Sequence, residues 1–147
     1  MKIALLGLGI MGSRMGERLI RCGFDLTIWN RTQGKGEHLR RLSAREAESP
    51  GEAAAAVDVV ITMLAGPSSV EEVALGEDGL LQGLRPGGLY IDMTTVSPET
   101  SILLAHACER RGVDFLDAPV TGGRPAAVSG RPSDHGRAPC WSARLPA

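Results

Sequence analysis

Three glycines at fixed spacing, Gly7-Leu8-Gly9-Ile10-Met11-Gly12, separate two stretches of different period near the start of the chain. Before them Lys2 to Leu6 is a short apolar run; after them Met11, Met15, Leu19 and Cys22 recur at helical spacing until Gly23. The pattern predicts a strand, a glycine turn and a helix over 11–22. Phe24, Leu26 and Ile28 then alternate with Asp25 and Thr27, which predicts a second strand over 24–29 and closes a first βαβ unit. A weak basic helix is expected over 36–44, and an Ala-rich helix after Ser49-Pro50, because proline suits the first helical position. Consecutive Val59, Val60 and Ile61 predict a buried parallel strand over 57–64. A short helix over 67–75, a loop over 76–86 anchored by Leu80, Leu81 and Leu84, and a strand over 89–92 follow. Ser97-Pro98 opens a helix through Arg111, stopped by Gly112, and 113–116 is the next expected strand. Such alternation implies an α/β fold: a doubly wound, mainly parallel sheet with helices on both faces.

A G-x-G-x-x-G lying between a strand and a helix stands where a dinucleotide fingerprint of a Rossmann-type fold has to lie. The first glycine permits the tight turn, the second lets backbone approach a pyrophosphate, and the third lets helix and strand pack closely. The helix N-terminus then offers free N–H groups and partial positive charge to the phosphates. The alternative is a glycine turn that needs small residues only for packing. After the second strand comes Asn30-Arg31-Thr32, where an NAD-binding chain usually places an acid against the ribose 2′-hydroxyl. No acid stands there. A guanidinium fork flanked by uncharged polar groups suits a 2′-phosphate, so NADP is expected ahead of NAD; a solvated arginine in a polar turn is the other reading. Lys35 could assist, although a lone loop lysine is ordinarily just solvated.

Residues 3–15, Ile3-Ala4-Leu5-Leu6-Gly7-Leu8-Gly9-Ile10-Met11-Gly12-Ser13-Arg14-Met15, resemble the N-terminal signature of the β-hydroxyacid dehydrogenase family, which includes 3-hydroxyisobutyrate dehydrogenase. Three later segments agree in order. Val60-Ile61-Thr62-Met63-Leu64 is similar to the strand and loop beside the family's cofactor, so the resemblance implies cofactor contacts at Met63, Leu64 and Ala65. Asp92-Met93-Thr94-Thr95-Val96-Ser97-Pro98 is similar to the D-x-S-T-x-x-P segment, whose second hydroxyl, here Thr95, would lie near the nicotinamide. Asp117-Ala118-Pro119-Val120-Thr121-Gly122-Gly123 is similar to the D-A-P-V-S-G-G segment, implying substrate carboxylate binding at Thr121, Gly122 and Gly123. Exposed N–H groups beside paired glycines suit a small carboxylate. For Met63 core packing is the alternative, and for Thr94 and Thr95 capping of the following helix. The implied activity is hydride transfer between NADP(H) and a small 3-hydroxy acid or its semialdehyde. An imine reductase of the wider superfamily is disfavoured by the hydroxyacid-like segment 117–123. Gly16 departs from the family's usual Ala or Ser at a propensity cost under about 1 kcal/mol.

A larger departure follows Gly123. The family continues through a further strand into an all-helical domain that supplies a catalytic lysine, and neither matches 124–147. Of the 16 basic residues only Lys2 and Lys35 are lysines, and neither matches the catalytic position, so no catalytic residue is assigned. Residues 1–123 are expected to be the cofactor-binding domain, and 124–147 an irregular tail rich in Arg and Pro. Ser133 to Arg137 can be encoded by codons that read Leu-Thr-Met-Val-Gly one nucleotide later, so the tail is expected to be out-of-frame translation. A cofactor-binding fragment without catalysis is therefore carried as the alternative to an active reductase. Full-length relatives would form homo-oligomers, and this chain is expected to leave apolar surface prone to association.

Sixteen basic residues against 17 acidic ones leave a net charge of −1, which offers no field for nucleic acid or an anionic membrane surface. Cys22, Cys108 and Cys140 are far apart, which suggests neither a disulfide framework nor a metal site, so a reducing cytoplasm is the expected compartment. Asp58 interrupts the longest apolar stretch, 53–64, well short of the roughly 18 residues needed to span a bilayer.

Overall fold

The computed structural model describes residues 1–120. Its elements in chain order are β1 (Lys2–Leu6), α1 (Ile10–Arg21), β2 (Asp25–Trp29), α2 (Glu37–Arg41), β3 (Arg45–Glu46) and α3 (Pro50–Ala54). Then come β4 (Val59–Thr62), α4 (Pro67–Leu75), α5 (Leu80–Gly83), β5 (Leu89–Asp92), α6 (Pro98–Glu109) and β6 (Asp114–Asp117). Among the described residues one six-stranded sheet runs in the order β3-β2-β1-β4-β5-β6, every pairing parallel, which is the Rossmann order.

Alternate residues of each central strand feed two separate cores. Ala4, Leu6, Val60 and Tyr90 point into one shared with α3 to α6, where Ala53, Val70, Leu80 and Leu104 are buried. Leu5, Ile28, Ile61 and Ile91 point into the other, where Met15 and Leu19 of α1 and Leu39 of α2 pack. Helices therefore cover both faces, as the alternation requires. Because both faces of β2 are covered, Thr27 is buried beside Leu26 and Ile28, and the expected half-exposed alternation gives way to a buried strand.

The segment expected as one loop over 76–86 contains α5, and its anchors Leu80, Leu81 and Leu84 are all buried. Only two residues long, β3 has no period to read, and it exists through its pairing with Thr27 and Ile28. Gly16 is explained by packing: a Cβ there would stand 2.7 Å from Leu39 Cδ1, so its absence lets α1 lie close on α2. No helix among the described residues is long and apolar enough to cross a membrane. The expected tail, with its frameshift and Cys140, lies outside the described residues.

Candidate cofactor site

At the carboxyl ends of the strands, β1 has β2 on one side and β4 on the other, and the chain leaves these neighbours in opposite directions. Such a switch point is where open α/β sheets form their crevices. A cavity of about 640 Å³ opens there, within the range of small-molecule sites.

Its floor is the glycine turn. Gly7 follows β1 with φ of +101°, and a Cβ on it would collide with the Met63 carbonyl oxygen. A Cβ on Gly12 would collide with the Gly7 carbonyl oxygen, so α1 rests directly on the turn. Packing inside the chain accounts for both residues. Gly9 differs, because a Cβ there would meet nothing within 4 Å. With a φ of −70° it needs glycine neither for its backbone conformation nor for packing, and the space before it is open. Gly9 also caps α1 without any side-chain hydrogen bond, and no acid occupies the first turn. By contrast Ser49 and Ser97 cap α3 and α6 and accept from the Glu52 and Thr100 N–H groups. The α1 terminus thus keeps donors and positive potential available to an anion.

Gly7, Gly9, Ile10, Met11 and Gly12 all line the cavity, with Asn30, Arg31 and Thr32 from the end of β2 and Met63, Leu64 and Ala65 from the end of β4. Leu8 does not: it is buried in the α1-side core and anchors the turn from beneath. Its N–H donates to Asn30 Oδ1 at 2.8 Å, while Asn30 Nδ2 donates to the Thr32 carbonyl at 2.9 Å. Asn30 therefore spends both polar ends shaping the glycine turn and the β2 turn. Arg31 is left as the freer group, its side chain 75% exposed.

Behind the Met63–Ala65 segment lies a buried polar network. Thr62 Oγ1 donates to Asp92 Oδ1 at 2.7 Å, and the Thr94 N–H donates to the same oxygen at 3.0 Å. With the Thr62 proton committed, the Tyr90 hydroxyl 3.1 Å away donates to Thr62. Burial, with the nearby Asp92 charge adding, holds the Tyr90 phenol well above its ordinary value. Thr94 Oγ1 accepts from the Leu64 N–H at 3.0 Å, so the network reaches the cavity wall. Asp92 Oδ2 has no partner among the described residues. Thr94 thus braces the β4 loop, and capping of α6 falls to Ser97 instead. Thr95 is exposed just past Thr94 and does not line the cavity. Thr121, Gly122 and Gly123 lie outside the described residues. Asp117, which opens their segment, accepts from Ser101 Oγ at 2.6 Å.

Several lining residues were not anticipated. Ser69, Glu72 and Val73 line the cavity from α4, with Gly76 just past its C-terminus, and their i, i+3, i+4, i+7 spacing marks one helix face. That spacing is present in the sequence, but which face meets the cavity depends on the strand order. Trp29 also lines it, its indole N–H donating to the Glu48 carbonyl at 3.3 Å.

A family model for the NAD binding domain of 6-phosphogluconate dehydrogenase matches residues 2–133. The chain belongs to this family. It is 47% identical over 129 residues to an uncharacterized oxidoreductase, YfjR, of Bacillus subtilis, covering 88% of this chain and 45% of that protein. It is 42% identical over 129 residues to the chloroplastic glyoxylate/succinic semialdehyde reductase 2 of Arabidopsis thaliana, covering 88% of this chain and 36% of that protein. Among solved structures, Mycobacterium tuberculosis 3-hydroxyisobutyrate dehydrogenase with L-serine superposes with a TM-score of 0.80 at 32% identity, over 87% of this chain and 43% of that one. The chain spans less than half the length of these relatives. The expected resemblance is thereby borne out: this is an NAD(P)-binding Rossmann domain of an oxidoreductase family related to 3-hydroxyisobutyrate dehydrogenase.

Proposed function

We propose that the chain is the NADP-binding domain of a β-hydroxyacid dehydrogenase, with residues 1–123 as that domain. The observation that carries the reading is Gly9, bare toward open space at the head of an uncapped helix while its companions Gly7 and Gly12 are closed by packing. Gly9 and the first turn of α1 would hold the pyrophosphate, and Arg31 with Thr32 and Lys35 the 2′-phosphate end. Met63 to Ala65 would bound the nicotinamide side. When bound, the cofactor would supply the hydride exchanged with a small 3-hydroxy acid or its semialdehyde. The chain's own groups bind and orient. Thr95 would lie near the nicotinamide, and the segment Thr121 to Gly123 would receive the substrate carboxylate. The names of the Arabidopsis reductase and the Mycobacterium dehydrogenase support a small acid bearing an aldehyde or hydroxyl.

A binding module without turnover is the second reading. Of the two lysines, Lys2 begins β1, at the end of the strand away from the cavity, and Lys35 lines the cavity from the turn after β2. Calorimetric titration with NADPH and NADH tests the binding, with NADPH expected to bind more tightly. Absence of binding by either dinucleotide overturns it. Adding succinic semialdehyde to the NADPH complex then separates the readings: loss of nicotinamide absorbance marks a reductase, and an unchanged spectrum marks the module.

A further inference from the structure

The rim of the cavity holds a charge that the glycine fingerprint does not account for. Arg31 Nη1, just past β2, stands 3.9 Å from Glu72 Oε2 on α4, and the two side chains are 75% and 70% exposed. Glu72 lies on the α4 face that lines the cavity, together with Ser69 and Val73, so the helix fixes where its backbone stands while its carboxylate stays exposed. Among the described residues, Lys35 is the other cation of the lining, and Glu77 and Asp78 in the α4–α5 turn its other acids. Among the described residues neither of those acids is ion-paired to Arg31; Glu72 is.

Resting on the reading that this cavity holds NAD(P), we propose that Glu72 is a specificity-determining residue that competes with the 2′-phosphate of NADP for Arg31. The end of β2 carries no acid, and α4 brings one to the same arginine from the far side of the cavity. When the ribose bears a free hydroxyl, Arg31 keeps its carboxylate partner. When it bears a phosphate, the guanidinium gives up a weak, exposed pair for a bidentate, charge-assisted one. The exchange favours the phosphate, but it breaks the pair and leaves the Glu72 carboxylate unpartnered near a dianion. Glu72 therefore compresses the preference for NADP over NAD, and the chain accepts both cofactors.

The test is a thermodynamic cycle on the full chain. Wild type, Glu72→Gln, Arg31→Ala and the double variant are titrated by calorimetry with NADPH and NADH. Adenosine 2′,5′-bisphosphate and 5′-AMP serve as probes that carry or lack the 2′-phosphate. Both side chains are exposed, so the variants are expected to melt like wild type. Glu72→Gln should raise the NADPH-to-NADH affinity ratio about two- to fivefold, as expected for freeing one partner of an exposed pair. In the Arg31→Ala background the same change should have less than half that effect. An unchanged or lower ratio in Glu72→Gln, or a rise that persists in full without Arg31, overturns the competition while leaving the cofactor reading intact. Failure of wild type to bind any of the four ligands overturns both.

Discussion

At the inner wall of the cavity, Gly7 and Gly12 press backbone against backbone, and Asp92, Thr62 and Thr94 are joined by hydrogen bonds of 2.7 and 3.0 Å away from water. At its rim, Arg31 and Glu72 face each other at 3.9 Å with most of both side chains in solvent. The wall is fixed by interactions that fail when one atom is added or removed. Side chains that can swing at little cost make up the rim. On the proposed reading, a site divided in this way would hold the common part of its ligand on rigid backbone and leave the distinguishing part to groups that substitute easily. Changes at the wall should then be read as stability, and changes at the rim as affinity ratios.

The harshest way to break the contrast is a methyl group at the wall. Gly12→Ala drives a Cβ into the Gly7 carbonyl and should cost more than about 3 kcal/mol in urea denaturation, at or beyond the usual range for overpacking. Gly7→Ala adds the strain of a left-handed residue, about 1–2 kcal/mol, to its own collision with Met63. A Gly12→Ala protein of wild-type stability would show that the wall is as soft as the rim.

Next in size is the buried network. Asp92→Ala leaves the Thr62 hydroxyl and the Thr94 N–H without their acceptor and should cost about 2 kcal/mol, since each unsatisfied buried group costs about 1–3. Asp92→Asn keeps an acceptor for both and should recover much of that loss. Nucleotide affinity should follow the same order, because Thr94 braces the Leu64 N–H in the cavity wall. Equal stability of the Ala and Asn variants would remove Asp92 from the wall.

Of this division the sequence made the wall legible and the rim only half so. Gly7, Gly9 and Gly12 are readable because their spacing is local: the strand, turn and helix they join are contiguous. The motif 92–98 was likewise readable as a segment, but the sharing of Asp92 Oδ1 between Thr62 and Thr94 depends on β4 lying beside β5. In the sequence Arg31 stands as a free fork or a solvated arginine, because its chain neighbours are uncharged. Its carboxylate partner sits on a helix far along the chain, brought near only by the order β2-β1-β4, which no local pattern encodes. The two-residue β3 and four-residue α5 escaped for a simpler reason: neither is long enough to display a period.

Proton linkage supplies a smaller effect confined to the buried side. Burial raises the Cys108 thiol from its ordinary 9.0 to about 11, and raises the Tyr90 phenol well above 10.0. Both sit in the core shared with α3 to α6. In each case the folded state keeps a proton that the unfolded chain releases at lower pH, so stability is full below the ordinary value and falls as pH rises through the folded one. Denaturation midpoints should hold steady from pH 7 to 9 and decline from 9 to 11. The decline should be shallower in Cys108→Ala and Tyr90→Phe once each is compared with its own value at pH 7. A midpoint that rises over that interval would contradict the sign.

The smallest effect on stability is expected at Gly9, and it sharpens the comparison most. Its φ of −70° suits any residue and a Cβ there meets nothing within 4 Å, so Gly9→Ala should unfold within about 0.5 kcal/mol of wild type. The methyl group would instead occupy the space where the proposed reading brings a pyrophosphate to the backbone, so NADPH and NADH affinities should fall together, at least tenfold, with their ratio unchanged. Gly12→Ala would lose binding by losing the fold, and Glu72→Gln would shift the ratio while keeping both. Three substitutions at one cavity thus give three distinct signatures. Should Gly9→Ala bind both dinucleotides like wild type, the open space above the turn would not be the phosphate cradle, whatever its shape.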